Sequence, residues 1–147
     1  MTVLVVGSDR AGFQLKQDVI ELLKQRGFEV EDLGCDQGEC GEYPDYARKV
    51  AKVVANNDNR LGLLVCGTGI GMSIAANKYK NVRAALCHSE YESQISRGKF
   101  NANVICIGSR SIRADAAARV VTRFIRSEFK SNLNEQYLER IEEMAYS

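Results

Sequence analysis

The sequence predicts an α/β fold: a doubly wound, three-layer αβα sandwich around a parallel sheet of five strands. Apolar runs rich in Val, Ile and Leu alternate along the chain with amphipathic stretches of helical period. The apolar runs are continuous, which is typical of parallel strands that helices cover on both faces. The segments follow the order βαβαβαβαβα, and one extra helix ends the chain.

The predicted strands are short, and most of them are almost wholly apolar. One of them, 28–34, alternates apolar and polar residues instead, which indicates a strand near an edge of the sheet. We predict strands over 2–7, 28–34, 61–66, 82–87 and 102–108.

The predicted helices are amphipathic. In the first, Phe13, Leu15 and Val19 share a face, and Gly27 ends the helix. Pro44, the only proline of the chain, suits the first turn of the second helix. We predict helices over 11–27, 45–57, 71–79, 89–99, 113–129 and 132–147.

Length and composition predict a single globular domain over residues 1–147. The chain is 45% hydrophobic and 27% charged with a formal net charge of +1, so nucleic acid is not an expected partner. No apolar run approaches the ~20 residues that span a bilayer, and the N-terminus lacks a secretory signal pattern. We therefore expect a cytoplasmic protein without membrane contact.

The five cysteines are an odd number and fall into two groups. Cys66, Cys87 and Cys106 lie in or at the end of apolar runs, and we predict that they are reduced and mostly buried. Cys35 and Cys40 flank the polar turn CDQGEC. A metal site there is disfavoured because the chain offers one histidine and no second cysteine pair of this kind. We expect no bound metal.

Polar side chains follow three of the predicted strands. Because the carboxyl ends of parallel strands share one sheet edge, we expect these side chains to lie together. That edge then carries a carboxylate, a thiol, hydroxyl groups and guanidinium groups. They are Ser8, Asp9 and Arg10 after the first strand, Cys66 at the end of the third, and Ser109, Arg110 and Arg113 after the fifth.

The third strand leads into the glycine-rich turn GTGIG. The turn lacks the G-x-G-x-x-G spacing of dinucleotide-binding sites, since Met72 holds the sixth position. Its glycines allow a tight strand-to-helix turn, and they also expose N–H groups that suit an anion or a developing oxyanion. Position alone leaves Cys66 open as a packed thiol or as a base. We interpret His88, the only histidine, as structural.

The segments GSDRAGFQLK, EYPDYA, CGTGIGMSIAANK, VRAAL and NANV together resemble the ribose-5-phosphate isomerase B and galactose-6-phosphate isomerase family over nearly the whole chain. The resemblance implies a Rossmann-like αβα sandwich, which agrees with the fold predicted above. It also implies interconversion of aldose and ketose phosphates without a metal or a nucleotide cofactor. The implied partner is a small phosphorylated sugar, and the implied assembly is a homodimer or homotetramer with shared active sites.

The resemblance implies a role for each candidate site residue. Aldose–ketose isomerisation passes through an enediolate, so it needs a base and N–H donors for a developing oxyanion. Cys66 is the implied base, while Thr68 and Asp9 assist ring opening and hydroxyl proton transfer. The implied substrate-binding residues contact the oxyanion, the sugar or the phosphate. They are Tyr43, Gly67, Gly69, Ile70, Gly71, Asn101, Arg110 and Arg113.

Five positions depart from the family pattern. Arg10 replaces the histidine of the usual SDHAG segment. Lys99 and Phe100 replace the ring-opening histidine and a sugar-contacting asparagine of the usual REHNDANV segment, and Leu133 and Tyr137 stand at two usual phosphate-binding arginines. Lys99 is a catalytic candidate by its position. Lysine is a poor proton relay near neutral pH, so we expect Arg10 and Lys99 to bind phosphate.

These observations favour an isomerase of ribose 5-phosphate and ribulose 5-phosphate. Two alternatives stay open. One is an isomerase of another four- to six-carbon sugar phosphate, including the two-subunit galactose-6-phosphate type. The other is a non-catalytic subunit that binds a sugar phosphate. The five changed positions are compatible with this second alternative.

Overall fold

The computed structural model describes residues 2–36, 39–131 and 134–144. Within these residues five strands form one parallel sheet, accompanied by six helices. The predicted fold class and the predicted order of elements are therefore confirmed. The strands are β1 (Val3–Ser8), β2 (Val30–Asp32), β3 (Arg60–Cys66), β4 (Ala84–Leu86) and β5 (Val104–Gly108). The helices are α1 (Phe13–Gln25), α2 (Tyr43–Ala55), α3 (Ile70–Ala76), α4 (Glu90–Gly98), α5 (Ala114–Arg126) and α6 (Asn134–Met144).

The strands lie in the order β2-β1-β3-β5-β4. β1 and β5 are buried throughout, and in β3 only Arg60 is not. The outer strands β2 and β4 have three residues each and are partly exposed, so the sequence correctly predicts 28–34 near an edge. In the register, Ser8 pairs with Val65 and Cys66 pairs with Gly108. The carboxyl ends of β1, β3 and β5 are therefore level with one another.

Two separate cores cover the two faces of the sheet. Leu63 and Leu64 are neighbours on β3 and belong to different cores because successive side chains of a strand point to opposite faces. The core around Leu63 includes Val19 of α1 and Phe124 of α5. The core around Leu64 includes Val50 of α2, together with side chains of α3. The sheet is thus the middle layer of a three-layer sandwich.

In the part of the chain that the structure describes, two helices, α4 and α6, contribute no side chain to these two cores. α4 packs beside α5, where the buried Ser93 Oγ donates to the Val120 carbonyl at 2.6 Å. α6 has no buried side chain among its described residues, and an ion pair of 3.0 Å joins its Glu142 to Arg83. None of the helices in the described residues is long and apolar enough to cross a membrane.

Three cysteines are free and buried, as the sequence predicts: Cys66, Cys87 and Cys106. Burial raises the pKa of the Cys87 thiol to about 11, although a hydrogen bond with Ser96 opposes the shift. Burial also raises the pKa of the Cys106 thiol. Both thiols are therefore neutral near physiological pH and act as small packing groups rather than nucleophiles.

Cys35 and Cys40 are joined by a disulfide bond, which the residue pattern does not predict. Asp36 and Glu39, which lie beside the two cysteines, pair across an isolated antiparallel bridge. The two cysteine Cα atoms lie 5.0 Å apart as a result. The pairing of Asp36 with Glu39 is not visible in the residue pattern. In the described residues, no group of three or more His, Cys, Asp or Glu side chains could hold a metal ion.

A buried lysine links α1 to the segment that follows β2. Lys16 is fully buried, and its Nζ donates to both carboxylate oxygens of Asp32 at 2.8 and 2.7 Å and to the Cys35 carbonyl at 2.9 Å. The sequence carries a sign of this burial, because Lys16 lies three residues after Phe13 and three before Val19, on the apolar face of α1. The ammonium group therefore holds the end of β2 and the disulfide loop against the first helix.

We predict that Lys16→Met lowers the free energy of unfolding by about 2–3 kcal/mol, because it leaves a carboxylate and a carbonyl without their charged donor. Asp32 keeps partial access to water, with 35% of its side chain exposed, so the loss stays below that for a fully buried pair. Urea unfolding of the purified variant measures it. Lys24→Met, at an exposed lysine of the same helix, is the control. Equal stability of the two variants would contradict the role of Lys16.

Candidate active site

The turn after β3 holds the thiol that the sequence singles out. Cys66 is the last residue of β3 and is 5% exposed. Its Sγ accepts the Gly69 N–H at 3.1 Å, and Thr68 Oγ1 accepts the Ile70 N–H at 3.1 Å. Gly69 has a φ of +79°, in the left-handed region that favours glycine. The turn therefore fixes the sulphur and the Thr68 hydroxyl beside the start of α3.

The turn after β1 brings Asp9 against the end of β3. The Asp9 N–H donates to the Val65 carbonyl at 3.3 Å, and Asp9 Oδ1 accepts the Gly12 N–H at 3.0 Å. A Cβ on Gly12 would lie 2.3 Å from the Val65 oxygen, so the approach requires glycine. Asp9 thus binds the backbone immediately before α1 and lies at the same sheet edge as Cys66.

The end of β5 packs beside the end of β3 at this same edge of the sheet. The Ser109 N–H donates to the Cys66 carbonyl at 2.8 Å, and the Arg110 N–H donates to the Gly67 carbonyl at 3.1 Å. Ser109 Oγ donates to the Ala11 carbonyl at 2.9 Å, which joins the turns after β5 and β1. A Cβ on Gly67 would lie 3.5 Å from the guanidinium carbon of Arg110. A cationic side chain therefore lies along the glycine-rich turn.

Tyr43 covers the glycine-rich turn from the side of α2. A Cβ on Gly71 would lie 2.9 Å from the Tyr43 ring, so the ring packs directly on the first turn of α3. The loop before α2 is joined to that helix, since the Gly41 N–H donates to the Tyr46 hydroxyl at 2.9 Å. Tyr43 is 41% exposed. The ring therefore forms a wall beside the turn and keeps surface for a ligand.

His88 supports this edge, although the sequence analysis does not place it among the site residues. Its Nε2 accepts the Gly108 N–H at 2.8 Å. Gly108 in turn packs on Thr68, whose carbonyl carbon would lie 2.5 Å from a Cβ at position 108. The ring thus holds the end of β5 in place, which agrees with a structural role. Its place shortly after the end of β4 is the signal that could have selected it as a supporting residue.

Two predicted site residues lie at the opposite end of the strands, next to the start of β5. α4 runs back from the carboxyl end of β4, so Lys99, its C-cap, precedes β5. The length of β5 separates Lys99 and Asn101 from Cys66 by roughly 15 Å. Arg97 Nη1 donates to Asn101 Oδ1 at 3.3 Å, and Lys99 Nζ lies 5.3 Å from the centroid of the Phe100 ring. One chain alone does not bring these side chains to Cys66.

The remaining candidates, Arg10 and Arg113, lie at the edge that carries Cys66. Both side chains are exposed. Arg10 follows β1, and Arg113 is the N-cap of α5. Tyr137, on α6, is 54% exposed, whereas Leu133 lies outside the described residues. The edge can therefore hold an anionic group close to a thiol, a carboxylate and a hydroxyl group.

Residues 4–144 match the family model described as Ribose/Galactose Isomerase. The chain is 38% identical over 141 residues to ribose-5-phosphate isomerase B of Escherichia coli strain K12, which covers 96% of this chain and 95% of that protein. It is 37% identical over 142 residues to D-erythrulose-4-phosphate isomerase of Pectobacterium atrosepticum, which covers 96% of this chain and 93% of that protein.

The similarity extends to the three-dimensional structure. The chain superposes on ribose-5-phosphate isomerase B from Mycoplasma genitalium, a structure with bound ribulose-5-phosphate, with a TM-score of 0.90 at 36% identity. The match covers 99% of this chain and 97% of that one. The resemblance carried by the sequence motifs therefore holds for the whole fold.

We predict that Gly108→Ala destabilises the protein by about 1–3 kcal/mol, the usual cost of overpacking, because the new methyl group would meet the Thr68 backbone. Thermal and urea unfolding measure the change. Gly98→Ala is the control, since a Cβ there meets only the Glu128 carbonyl oxygen at 3.7 Å within van der Waals range. A Gly108→Ala variant as stable as the control would contradict the close approach of β5 to the turn.

Proposed function

Because the chain belongs to the ribose/galactose isomerase family, we propose that it is an aldose–ketose isomerase that interconverts ribose 5-phosphate and ribulose 5-phosphate. The observation that carries this proposal is the position of Cys66 Sγ, which the Gly69 N–H holds at the edge shared with Asp9, Thr68 and Arg110. The ribulose-5-phosphate bound in the Mycoplasma genitalium structure supports this choice of substrate.

Cys66 is the proposed base of the proton transfer between carbons. As a thiolate, its Sγ takes the proton from C2 of the open-chain aldose, the C–H electrons form a C1–C2 double bond, and the negative charge moves to O1. The C2 hydroxyl of this enediolate then gives its proton to O1. Cys66 returns its own proton to C1, and the ketose forms with its carbonyl at C2. The thiolate is regenerated, so the reaction needs no co-reactant and no cofactor.

The glycine-rich turn supplies the proposed donors for the oxyanion. The N–H groups of Gly69 and Ile70 already donate within the turn. We therefore assign the oxyanion to the N–H groups of Gly67 and Gly71, of which the second lies in the first turn of α3, where the helix supplies no partner. Preorganised N–H donors of this kind stabilise charge that develops during the reaction.

Asp9 and Thr68 are the proposed groups that move hydroxyl protons during ring opening and between O2 and O1. The Gly12 N–H holds one oxygen of Asp9 at 3.0 Å, so the carboxylate keeps a fixed orientation. The Thr68 hydroxyl can both donate and accept a proton. Tyr43, which packs on Gly71, is the proposed wall of the sugar pocket.

Guanidinium groups bind the phosphate in this proposal. Arg110 lies along Gly67 and is the central candidate. Arg10 and Arg113 follow β1 and β5 at the same edge, and a bidentate guanidinium suits a phosphate well. Lys99 of a second copy adds a further cation, which takes the place of the missing arginines at positions 133 and 137.

A second copy of the chain completes each site in this proposal. Lys99 and Asn101 lie too far from Cys66 to act within their own chain. Large apolar side chains around α3, β4 and α4 are exposed, and such side chains favour association. They are Ile70, Ile74, Leu86, Tyr91 and Phe100. We propose a homodimer, or a homotetramer built from it, in which each chain of residues 1–147 is one cytoplasmic isomerase domain.

A four-carbon sugar phosphate is the second candidate substrate. The chain is about as similar to D-erythrulose-4-phosphate isomerase of Pectobacterium atrosepticum as it is to the Escherichia coli ribose-5-phosphate isomerase B. Phe100 stands where the family carries a sugar-contacting asparagine, and a bulky ring there suits a shorter substrate. An assay over four-, five- and six-carbon aldose phosphates separates the two candidates. Binding without turnover of any of them would favour the non-catalytic alternative.

We predict that Cys66→Ala lowers kcat for the preferred sugar phosphate by about 100- to 10,000-fold, since the base of the proton transfer is lost. Substrate binding stays close to normal because Cys66 makes no phosphate contact in this proposal. Exchange of the C2 proton with deuterated solvent, followed by NMR, measures the step directly. Cys106→Ala, at another buried thiol, is the control. Near-normal exchange in Cys66→Ala would rule out the assigned base.

We predict that a mixed dimer of one Cys66→Ala chain and one Lys99→Ala chain recovers about half of the wild-type activity, because one of its two shared sites is intact. Co-expression with two affinity tags isolates this species. Neither parent homodimer contains an intact site, so both serve as controls. A mixed dimer no more active than its parents, or a fully active monomer in sedimentation, would contradict shared sites.

A further inference from the structure

A strongly basic cleft lies between α4 and α5, on the outer surface of the helices. Its volume is about 690 Å³. The cleft is lined by six of the 20 basic side chains of the protein but by only two of its 19 acidic ones, Glu90 and Glu128. A nearly neutral chain therefore concentrates positive charge in one concave surface. The basic residues are Arg26, Lys99, Arg119, Arg123, Arg126 and Lys130.

Two of the four arginines of the cleft are oriented by partners without charge. Arg26 Nη1 donates to the Thr122 hydroxyl at 3.0 Å, and the Arg126 guanidinium lies 5.2 Å from the centroid of the Phe28 ring. A hydroxyl group and an aromatic ring hold a guanidinium in place without neutralising it. Both arginines therefore present their full charge to the cleft.

The carboxylates near the cleft neutralise little of this charge. Arg123 lies 3.7 Å from Glu90, and Arg119 lies 3.6 Å from Asp115. These separations are long for an ion pair, and all four side chains are about half exposed or more. Exposed pairs of this kind are weak and are easily exchanged for another anion.

We propose that this cleft binds a small organic anion that carries two or more phosphate groups. Its volume lies within the usual range for small-molecule sites, roughly 300–1,000 Å³, and exceeds what a single phosphate ion fills. Several guanidinium groups around one space suit several phosphate groups, because each guanidinium can bind two phosphate oxygens at once. Ile95 and the alkyl parts of the arginines provide apolar surface for the carbon skeleton.

The proposed ligand site lies apart from the candidate active site of the same chain, and it shares only Lys99 with the site proposed for a second copy. Cys66, Asp9 and Arg110 lie at the carboxyl edge of the sheet, whereas α4 and α5 form the walls of the cleft. Lys99 is the only lining residue with a role in the proposed reaction, and the experiment leaves it unchanged. Nucleic acid is the weaker alternative, because the formal net charge of +1 does not provide an extended basic surface.

Isothermal titration calorimetry on the full-length protein at low ionic strength tests this proposal. The probes are fructose 1,6-bisphosphate, metal-free ATP and inorganic phosphate. We expect at least one of the first two to bind with one site per chain and much more tightly than inorganic phosphate. This binding should persist when ribose 5-phosphate is present at saturating concentration, and it should weaken as salt is added.

The variant Arg119→Gln/Arg126→Gln should weaken this binding roughly tenfold or more, since it removes two guanidinium groups from the cleft. Its isomerase activity and melting temperature should stay close to those of the wild type. Arg48→Gln/Lys52→Gln on α2 is the control, with the same loss of charge at exposed positions away from the cleft. The single variant Arg119→Gln, which leaves the contact of Arg126 with Phe28 intact, covers the case in which the double variant fails to fold.

Three results would overturn the proposal. The first is that neither fructose 1,6-bisphosphate nor ATP binds beyond the level of inorganic phosphate. The second is that the cleft variant and the control variant weaken binding equally. The third is that a short single-stranded oligonucleotide binds more tightly than both probes and depends on Arg119 and Arg126. None of these results depends on whether the protein proves to be an isomerase.

Discussion

The close approach of three backbone segments around the end of β3 is the constraint on which the whole site depends. Gly12 packs on Val65, and Gly108 packs on Thr68, at distances that leave no space for a Cβ. The neighbouring atoms belong to the backbone, so no change of rotamer could make room. Main-chain contacts therefore position the reactive groups. This arrangement explains how the side chains at the rim, such as Arg10, can differ from the family pattern while the framework is kept.

Much of the fold could be predicted because burial leaves a direct trace in sequence. β1, β3 and β5 are buried on both faces and appear as nearly continuous apolar runs, and the alternation of 28–34 indicates the edge strand β2. The sequence also predicts that Asp9, Cys66 and Arg110 lie together, because the carboxyl ends of parallel strands share one edge of the sheet. These features are local, and local patterns report them.

The features that escaped prediction depend on contacts between distant parts of the chain. The order β2-β1-β3-β5-β4 arises from pairings that no single segment encodes. Lys16 lies on an apolar face because its partners Asp32 and Cys35 come from another element. The positions of Lys99 and Asn101 at the far edge follow once α4 is known to run back along the sheet. In the proposed function these two residues act in the site of a second copy, and a contact between two chains leaves no pattern in the sequence of one.

The hydrogen bond from the Gly108 N–H to His88 also makes the imidazole a natural reporter. Because Nε2 accepts this bond, the neutral ring carries its proton on Nδ1, which fixes one tautomer. The chain contains a single histidine, so its ring gives one unambiguous set of magnetic resonances without isotopic editing or a chemical label. A ligand that moves the end of β5 would change those resonances, and the unmodified protein therefore carries its own spectroscopic probe of the candidate site.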